Sequence, residues 1–151
     1  MITLSPIGIV KNIRRLVEDD HWGGVASIIE LDKSFSEDAL LQIDQFSHAE
    51  IIYYFHLVQE EKIETGARHP RNNKDLPKVG IFAQRGKNRP NRLGASIVKI
   101  IKREGTQLFV QGLDAVDETP VLDIKPVMKE FLPREEVHQP DWATELMKNY
   151  W

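Results

Sequence analysis

The sequence predicts an all-β protein, mainly an antiparallel β-barrel of about six or seven strands, with a short C-terminal helix. Short β-branched or aromatic runs recur along the chain with few helical stretches between them, a spacing that suits an antiparallel barrel or sandwich. No G-x-G-x-x-G follows a strand, so a Rossmann cofactor fold is not supported. In order, the predicted strands are Ile7–Val10, Val25–Leu31, Ala49–Val58, Val79–Ala83, Ala95–Lys102, Gln107–Leu113 and Val121–Ile124. Within "KREGTQ", Glu104-Gly105 reads as a hairpin turn between two of them. Two helices are expected. "SEDALLQI" is a short one with Ser36 as N-cap, and "QPDWATELMKNYW" is a better one, with Pro140 in its first turn. The second carries Trp142, Leu146 and Tyr150 at a spacing of four, an apolar stripe that must dock on its own barrel or on a partner subunit.

At 151 residues, 41% hydrophobic and 28% charged, the chain is expected to form one globular domain spanning 1–151. There is no cysteine, which excludes disulfides, thiolate zinc sites, iron–sulfur clusters and cysteine nucleophiles. "MITLSPIGIVKNIRR" lacks the order of a secretory signal, and no run approaches the roughly 18 apolar residues of a membrane helix. A cytoplasmic protein with no membrane partner is the expectation.

The net charge of −3 conceals a segregation. Between Lys62 and Arg92 stand nine basic residues against only Glu64 and Asp75. Such a segment makes a local positive field that gathers anions, although a solvated loop would also carry charge. Its densest part is "GIFAQRGKNRPNRLGAS", too long, too basic and too stiff for a plain hairpin connection. A second feature is "HAEIIYYFHLV". Strand alternation puts Ala49, Ile51, Tyr53, Phe55 and Leu57 on one face, and His48, Glu50, Ile52, Tyr54 and His56 on the other. The second face suits either a cavity or solvent. A third is "GLDAVDETPVLDIKP", where Asp114, Asp117, Glu118 and Asp123 cluster among prolines. These are ordinary turn formers, or a rigid loop offering acceptors to a ligand with amino groups. A ligand with both charges, such as a nucleoside amino acid, would suit a basic loop facing an acidic one.

Other chemistries find no residues. There is no P-loop, no G-x-S-x-G elbow and no compact histidine spacing; His48 and His56 would lie roughly 26 Å apart on one strand, so no metal is expected.

The blocks "PIGIVKN", "FSHAEIIYYFHL", "RHPRNNKDLPKVGIFAQRGKNRPNRLGASIVKI" and "GLDAVDETPVLDIKP" together resemble the TsaA-like (TrmO) family, over 6–126, leaving a helical tail at 139–151. The resemblance implies a non-Rossmann barrel, a homodimer, S-adenosyl-L-methionine as cofactor and tRNA as partner. The implied reaction is methylation of the exocyclic nitrogen of threonylcarbamoyl-adenosine beside the anticodon. It places cofactor contacts at His21, Trp22 and Gly23, at Phe55 and His56, at Arg85, at Ala95, and at Asp117, Glu118, Thr119 and Pro120. Arg85 is expected to meet the cofactor's carboxylate, and Lys87, Arg89 and Arg92 are expected to meet tRNA phosphates. His56, Tyr54 and Asp114 are the candidates for a general base. The family's "RSPFRPNPIG" reads "RGKNRPNRLG" here, which adds positive charge. Two other readings remain open: an RNA-binding barrel without catalysis, using Tyr53, Tyr54 and Phe55 as a stacking platform, and a methyltransferase acting on a small molecule.

Overall fold

Period-two alternation of apolar residues becomes eight strands in the computed structural model, which describes residues Met1–Trp151. They are β1 (Gly8–Lys11), β2 (Ala26–Leu31), β3 (His48–Tyr54), β4 (Ala67–Arg68), β5 (Val79–Gly80), β6 (Leu93–Glu104), β7 (Gln107–Gln111) and β8 (Pro120–Pro126). Six of them close a barrel in the order β1-β2-β7-β6-β3-β8, every pair antiparallel. Closure removes free sheet edges. The remaining two, β4 and β5, make a small ribbon inside the long excursion between β3 and β6.

The barrel interior takes the inward residue of each alternation: Val10, Ile29, Ala49, Ile51, Tyr53, Val98, Leu108, Val110 and Val121 are at most 2% exposed. Tyr53 needs room that its neighbour supplies. Gly94 lies opposite it on β6, and a Cβ there would stand 2.4 Å from the Tyr53 ring. The twelve-residue β6 serves two partners, β3 through its first half and β7 through its second. Register shifts at Ile52/Tyr53 and Ile100/Lys102 supply the extra curvature that closure needs.

Several expectations are corrected. The strand expected over Ala49–Val58 ends at Tyr54: after one further rung, from the Phe55 N–H to the Arg92 carbonyl (2.8 Å), the chain turns, with the His56 N–H on the Tyr54 carbonyl (2.8 Å) and the Val58 N–H on that of Phe55 (3.2 Å). The strand expected over Val79–Ala83 is two residues, followed by a 3-10 turn at Ile81–Ala83. The short helix is two 3-10 turns, Glu37–Leu40 and Ile43–Gln45, broken by Gln42 in the left-handed conformation (φ 69°), and Ser36 makes no side-chain cap bond. The β6–β7 turn residues are Gly105-Thr106, with Gly105 at φ 57°. The later helix, α1, forms at Asp141–Met147, directly after Pro140. No helix is long and apolar enough to cross a membrane.

Antiparallel order brings the ends of β1, β3 and β7 and the starts of β2, β6 and β8 to one rim. The loops there are 12–25, 55–92 and 112–119. After β8 the chain starts from the opposite rim, and residues 128–141 are all exposed. It then returns through α1 to the first rim, where Asn149 and Tyr150 accept hydrogen bonds from the N–H groups of His21 (3.0 Å) and Trp22 (2.8 Å).

Candidate active site

Two of the three rim loops, 12–25 and 112–119, are tied together across the seam between β1 and β8. The Asn12 N–H donates to Asp117 Oδ1 (2.9 Å), while its side-chain amide donates to Ser27 Oγ (2.9 Å) and the Ala115 carbonyl (2.8 Å). The Asp117 and Glu118 N–H groups donate to the carbonyls of Arg14 (2.6 Å) and Val10 (2.7 Å). Glu118 pairs with Lys11 (2.5 Å), which raises the ammonium's pKa through that hydrogen bond. Thr119 is buried, its hydroxyl donating to the Val116 carbonyl (2.7 Å). The acidic loop is therefore held rigidly rather than left as a free turn.

Backbone strain gathers on the same rim. Five of the six non-glycine residues with positive φ belong to its loops: His21 (68°), Arg71 (53°), Asn72 (56°), Arg92 (51°) and Glu118 (69°). Each costs of order 1–3 kcal/mol, and such residues cluster where function needs a fixed geometry. His21 and Glu118 are both among the cofactor contacts implied by the resemblance.

A solvent-open cleft of about 500 Å³ lies here, lined by Arg15, His56, Leu57, Asp117 and Glu118. Partial burial pulls the His56 pKa below its ordinary value, against a weaker upward pull from the Glu118 carboxylate. The imidazole is thus kept neutral in a carboxylate-lined cleft. Phe55 is half-buried, packed edge-on against Tyr53 at 5.3 Å.

Beside the cleft, Asp114 collects three hydroxyls. Tyr53 donates to its Oδ1 at 3.0 Å, Ser96 donates to the same oxygen, and Tyr150 donates to Oδ2. Burial pushes both phenols far above their ordinary pKa, and the Asp114 charge adds to it. Both therefore remain donors. Arg85 lies close by and exposed, with Nη2 donating to the Ala95 carbonyl at 2.5 Å. Trp22, by contrast, is 3% exposed, its indole under the Arg14 guanidinium (3.9 Å) and its Nε1 donating to the Glu18 carbonyl. Its backbone N–H donates to the Tyr150 carbonyl in the segment after α1.

The rim thus brings together, from four separate stretches of sequence, His21 to Gly23, Phe55 and His56, Arg85 and Ala95, and Asp117 to Pro120. The basic loop divides. Arg89 Nη1 donates to the carbonyls of Gln84 (2.8 Å) and Gly86 (3.3 Å). Arg92 Nη1 donates to that of Val58 (3.2 Å), with its guanidinium 5.7 Å from the Tyr54 ring. Both brace the loop. Lys87 is exposed and outside every ion pair. The stacking platform expected at Tyr53, Tyr54 and Phe55 does not form, since Tyr53 is 2% exposed and committed to Asp114. No three His, Asp or Glu side chains converge as a metal site.

Sequence reasoning did not single out Asn12, Ser96 or the Tyr150 hydroxyl. Asn12 stood in plain view at the end of "PIGIVKN", where a strand stops and an amide has backbone to bind. Ser96 and the Tyr150 hydroxyl carried no such signal, because their partner, Asp114, is distant in sequence.

The family model for the tRNA-methyltransferase O N-terminal domain matches residues 19–131. A probable S-adenosyl-L-methionine-binding protein of Pyrococcus abyssi is 35% identical over 142 residues, covering 91% of this chain and 74% of that one. The human tRNA (adenine(37)-N6)-methyltransferase is 36% identical over 104 residues, covering 69% of this chain but only 23% of its own length. The crystal structure of TrmO from Pseudomonas aeruginosa superposes with a TM-score of 0.73 at 26% identity, covering 91% of this chain and 61% of that chain. This chain accordingly belongs to the family of the tRNA-methyltransferase O N-terminal domain.

Proposed function

We propose that the protein is an S-adenosyl-L-methionine-dependent methyltransferase of tRNA, acting on the exocyclic nitrogen of threonylcarbamoyl-adenosine beside the anticodon. The observation that carries this reading is the convergence on one strained rim of the four segments that the resemblance assigns to the cofactor. The donor set fits that cofactor. An exposed guanidinium at Arg85 suits a carboxylate, Asp117 and Glu118 supply acceptors for ammonium and ribose hydroxyls, and the half-buried Phe55 offers an apolar edge. Cofactor names carried by relatives, such as that of the Pyrococcus abyssi protein, support the same assignment.

When bound, the cofactor supplies an electrophilic methyl group on sulfur. The chain's own work is alignment and proton management. Arg85 and the Asp117–Pro120 loop orient the cofactor. Of the three base candidates, His56 is the best placed, because it is neutral, lines the open cleft and can accept the nitrogen's proton on its imidazole. Asp114 has both oxygens occupied by hydroxyls, and Tyr54 packs beneath Arg92. Lys87 meets backbone phosphate, while Arg89 and Arg92 hold the loop that presents it. The working form is a homodimer, supported by exposed Phe131 (86%) and Val137 (67%) on the segment returning outside the barrel.

The direct test is nucleoside mass spectrometry of tRNA after incubation with protein and cofactor, with calorimetry of cofactor binding to wild type and Arg85→Ala. A mass gain of one methyl on threonylcarbamoyl-adenosine, and weakened binding by the variant, are expected. Unmodified tRNA despite cofactor binding would favour a small-molecule acceptor, and absent cofactor binding would overturn the reading.

A further inference from the structure

Phe82 is 79% exposed, although burying such a ring is worth about 1.5–3 kcal/mol. It is not loosely held. Ile81 beside it is 2% exposed and donates its N–H to the Gly66 carbonyl at 2.8 Å. On the other side, the Gln84 amide donates to the carbonyls of Val79 (3.1 Å) and Arg68 (3.3 Å). The 3-10 turn Ile81–Ala83 therefore presents the ring outward from a clamped base. The chain around it carries Lys78 and Lys87, both exposed and neither in an ion pair.

We propose that Phe82 stacks on an unpaired base of the RNA flanking the nucleotide to be methylated. A rigid aromatic face set among unshared cations matches a ligand with planar rings and phosphates, which is single-stranded nucleic acid. Of the other aromatics on this rim, Tyr53 and Trp22 are buried, Phe55 packs on Tyr53 and Tyr54 lies beside Arg92, while Trp151, 60% exposed, packs edge-on against Tyr150 at 4.8 Å. A second copy of the chain is the poorer occupant, since a two-fold contact centred on this ring would set its cations against their own copies. The inference rests on the proposed tRNA substrate.

The test uses an anticodon stem-loop RNA with 2-aminopurine beside the target adenosine, and the full chain as wild type, Phe82→Ala, Phe82→Trp and Lys87→Ala. Phe82→Ala is expected to weaken RNA binding roughly five- to a hundredfold and to abolish 2-aminopurine quenching, with an unchanged salt slope. Phe82→Trp restores both. Lys87→Ala keeps the quenching but lowers the log–log salt slope by about 0.7–0.9. Cofactor affinity and the mass by light scattering stay the same throughout. RNA affinity unaltered by Phe82→Ala, in a wild type that methylates tRNA, overturns the stacking role alone. A fall in mass for that variant identifies the ring as a subunit contact and overturns it too. A wild type that binds no RNA overturns both the stacking role and the substrate.

Discussion

His56 shows how one side chain's surroundings set its chemistry. Desolvation holds its pKa below the ordinary value of about 6.5, so the neutral form persists into mildly acid solution. Two consequences share that sign. In the proposed role of base, His56 sets an acid limb of the kcat profile whose midpoint is expected under the ordinary value of about 6.5. His56→Gln lowers kcat by about two orders of magnitude and removes that limb. As a contributor to stability, the same group favours the fold above its unfolded pKa, and this is progressively lost as pH falls from there towards its folded value. A limb centred at or above the ordinary value would assign the proton to another group. The pair Phe55-His56 was legible because it sits in a distinctive block. Its place in a turn was not, since the turn is made by backbone bonds, His56 N–H to the Tyr54 carbonyl and Val58 N–H to that of Phe55, which leave no mark on side-chain alternation.

Strand β3 and its neighbours carry the argument at the next scale. Alternation predicted Ala49, Ile51, Tyr53, Phe55 and Leu57 as one apolar face; the first three are buried, but the strand ends at Tyr54, Phe55 is half-buried and Leu57 is 53% exposed. It could not say that β6 must yield a side chain at Gly94 to seat the Tyr53 ring. Gly94→Ala forces that ring off its place beneath Asp114 and costs about 1–3 kcal/mol, measurable by urea denaturation. An unchanged midpoint would show that the ring has slack. Tyr53 is a poor site to absorb the change, because its hydroxyl would lose a charged acceptor. The two-residue strand β4 shows the limit of pattern reading. It carries no periodicity, and the polar stretch "TGARHPRNNKDLP" that holds it was legible only as a connection, whereas its partner β5 fell inside the expected strand Val79–Ala83.

The closure order of the barrel sets the loops that carry the proposed site residues on one rim. The spacing of strands left a barrel and a sandwich both open until the resemblance pointed to the barrel, whereas the meeting of 12–25, 55–92 and 112–119 depends on pairings across most of the chain. The segment 128–141 runs exposed between the two rims, with Met128 (43%), Phe131 (86%), Leu132 (40%) and Val137 (67%) uncovered. Light scattering at micromolar concentration is expected to give twice the chain mass, and a monomer mass would leave that surface to another partner.

The seam between β1 and β8 has a further consequence. Only Gly8↔Val121 and Ile9↔Pro120 pair there, against seven residue pairs between β3 and β6, and Pro120 has no N–H to give. A barrel breathes at its shortest joint. The amides of Ile7 and Val10, which donate to the Val121 and Thr119 carbonyls, should exchange with deuterium well before those of β3. Asp117 and Glu118 are moored to β1 across that joint, so any ligand they hold staples it shut, and saturating cofactor should slow this exchange more than it slows that of β3. Occupancy of the rim would then be readable as mechanical tightness of the barrel, in a protein that has done no chemistry at all.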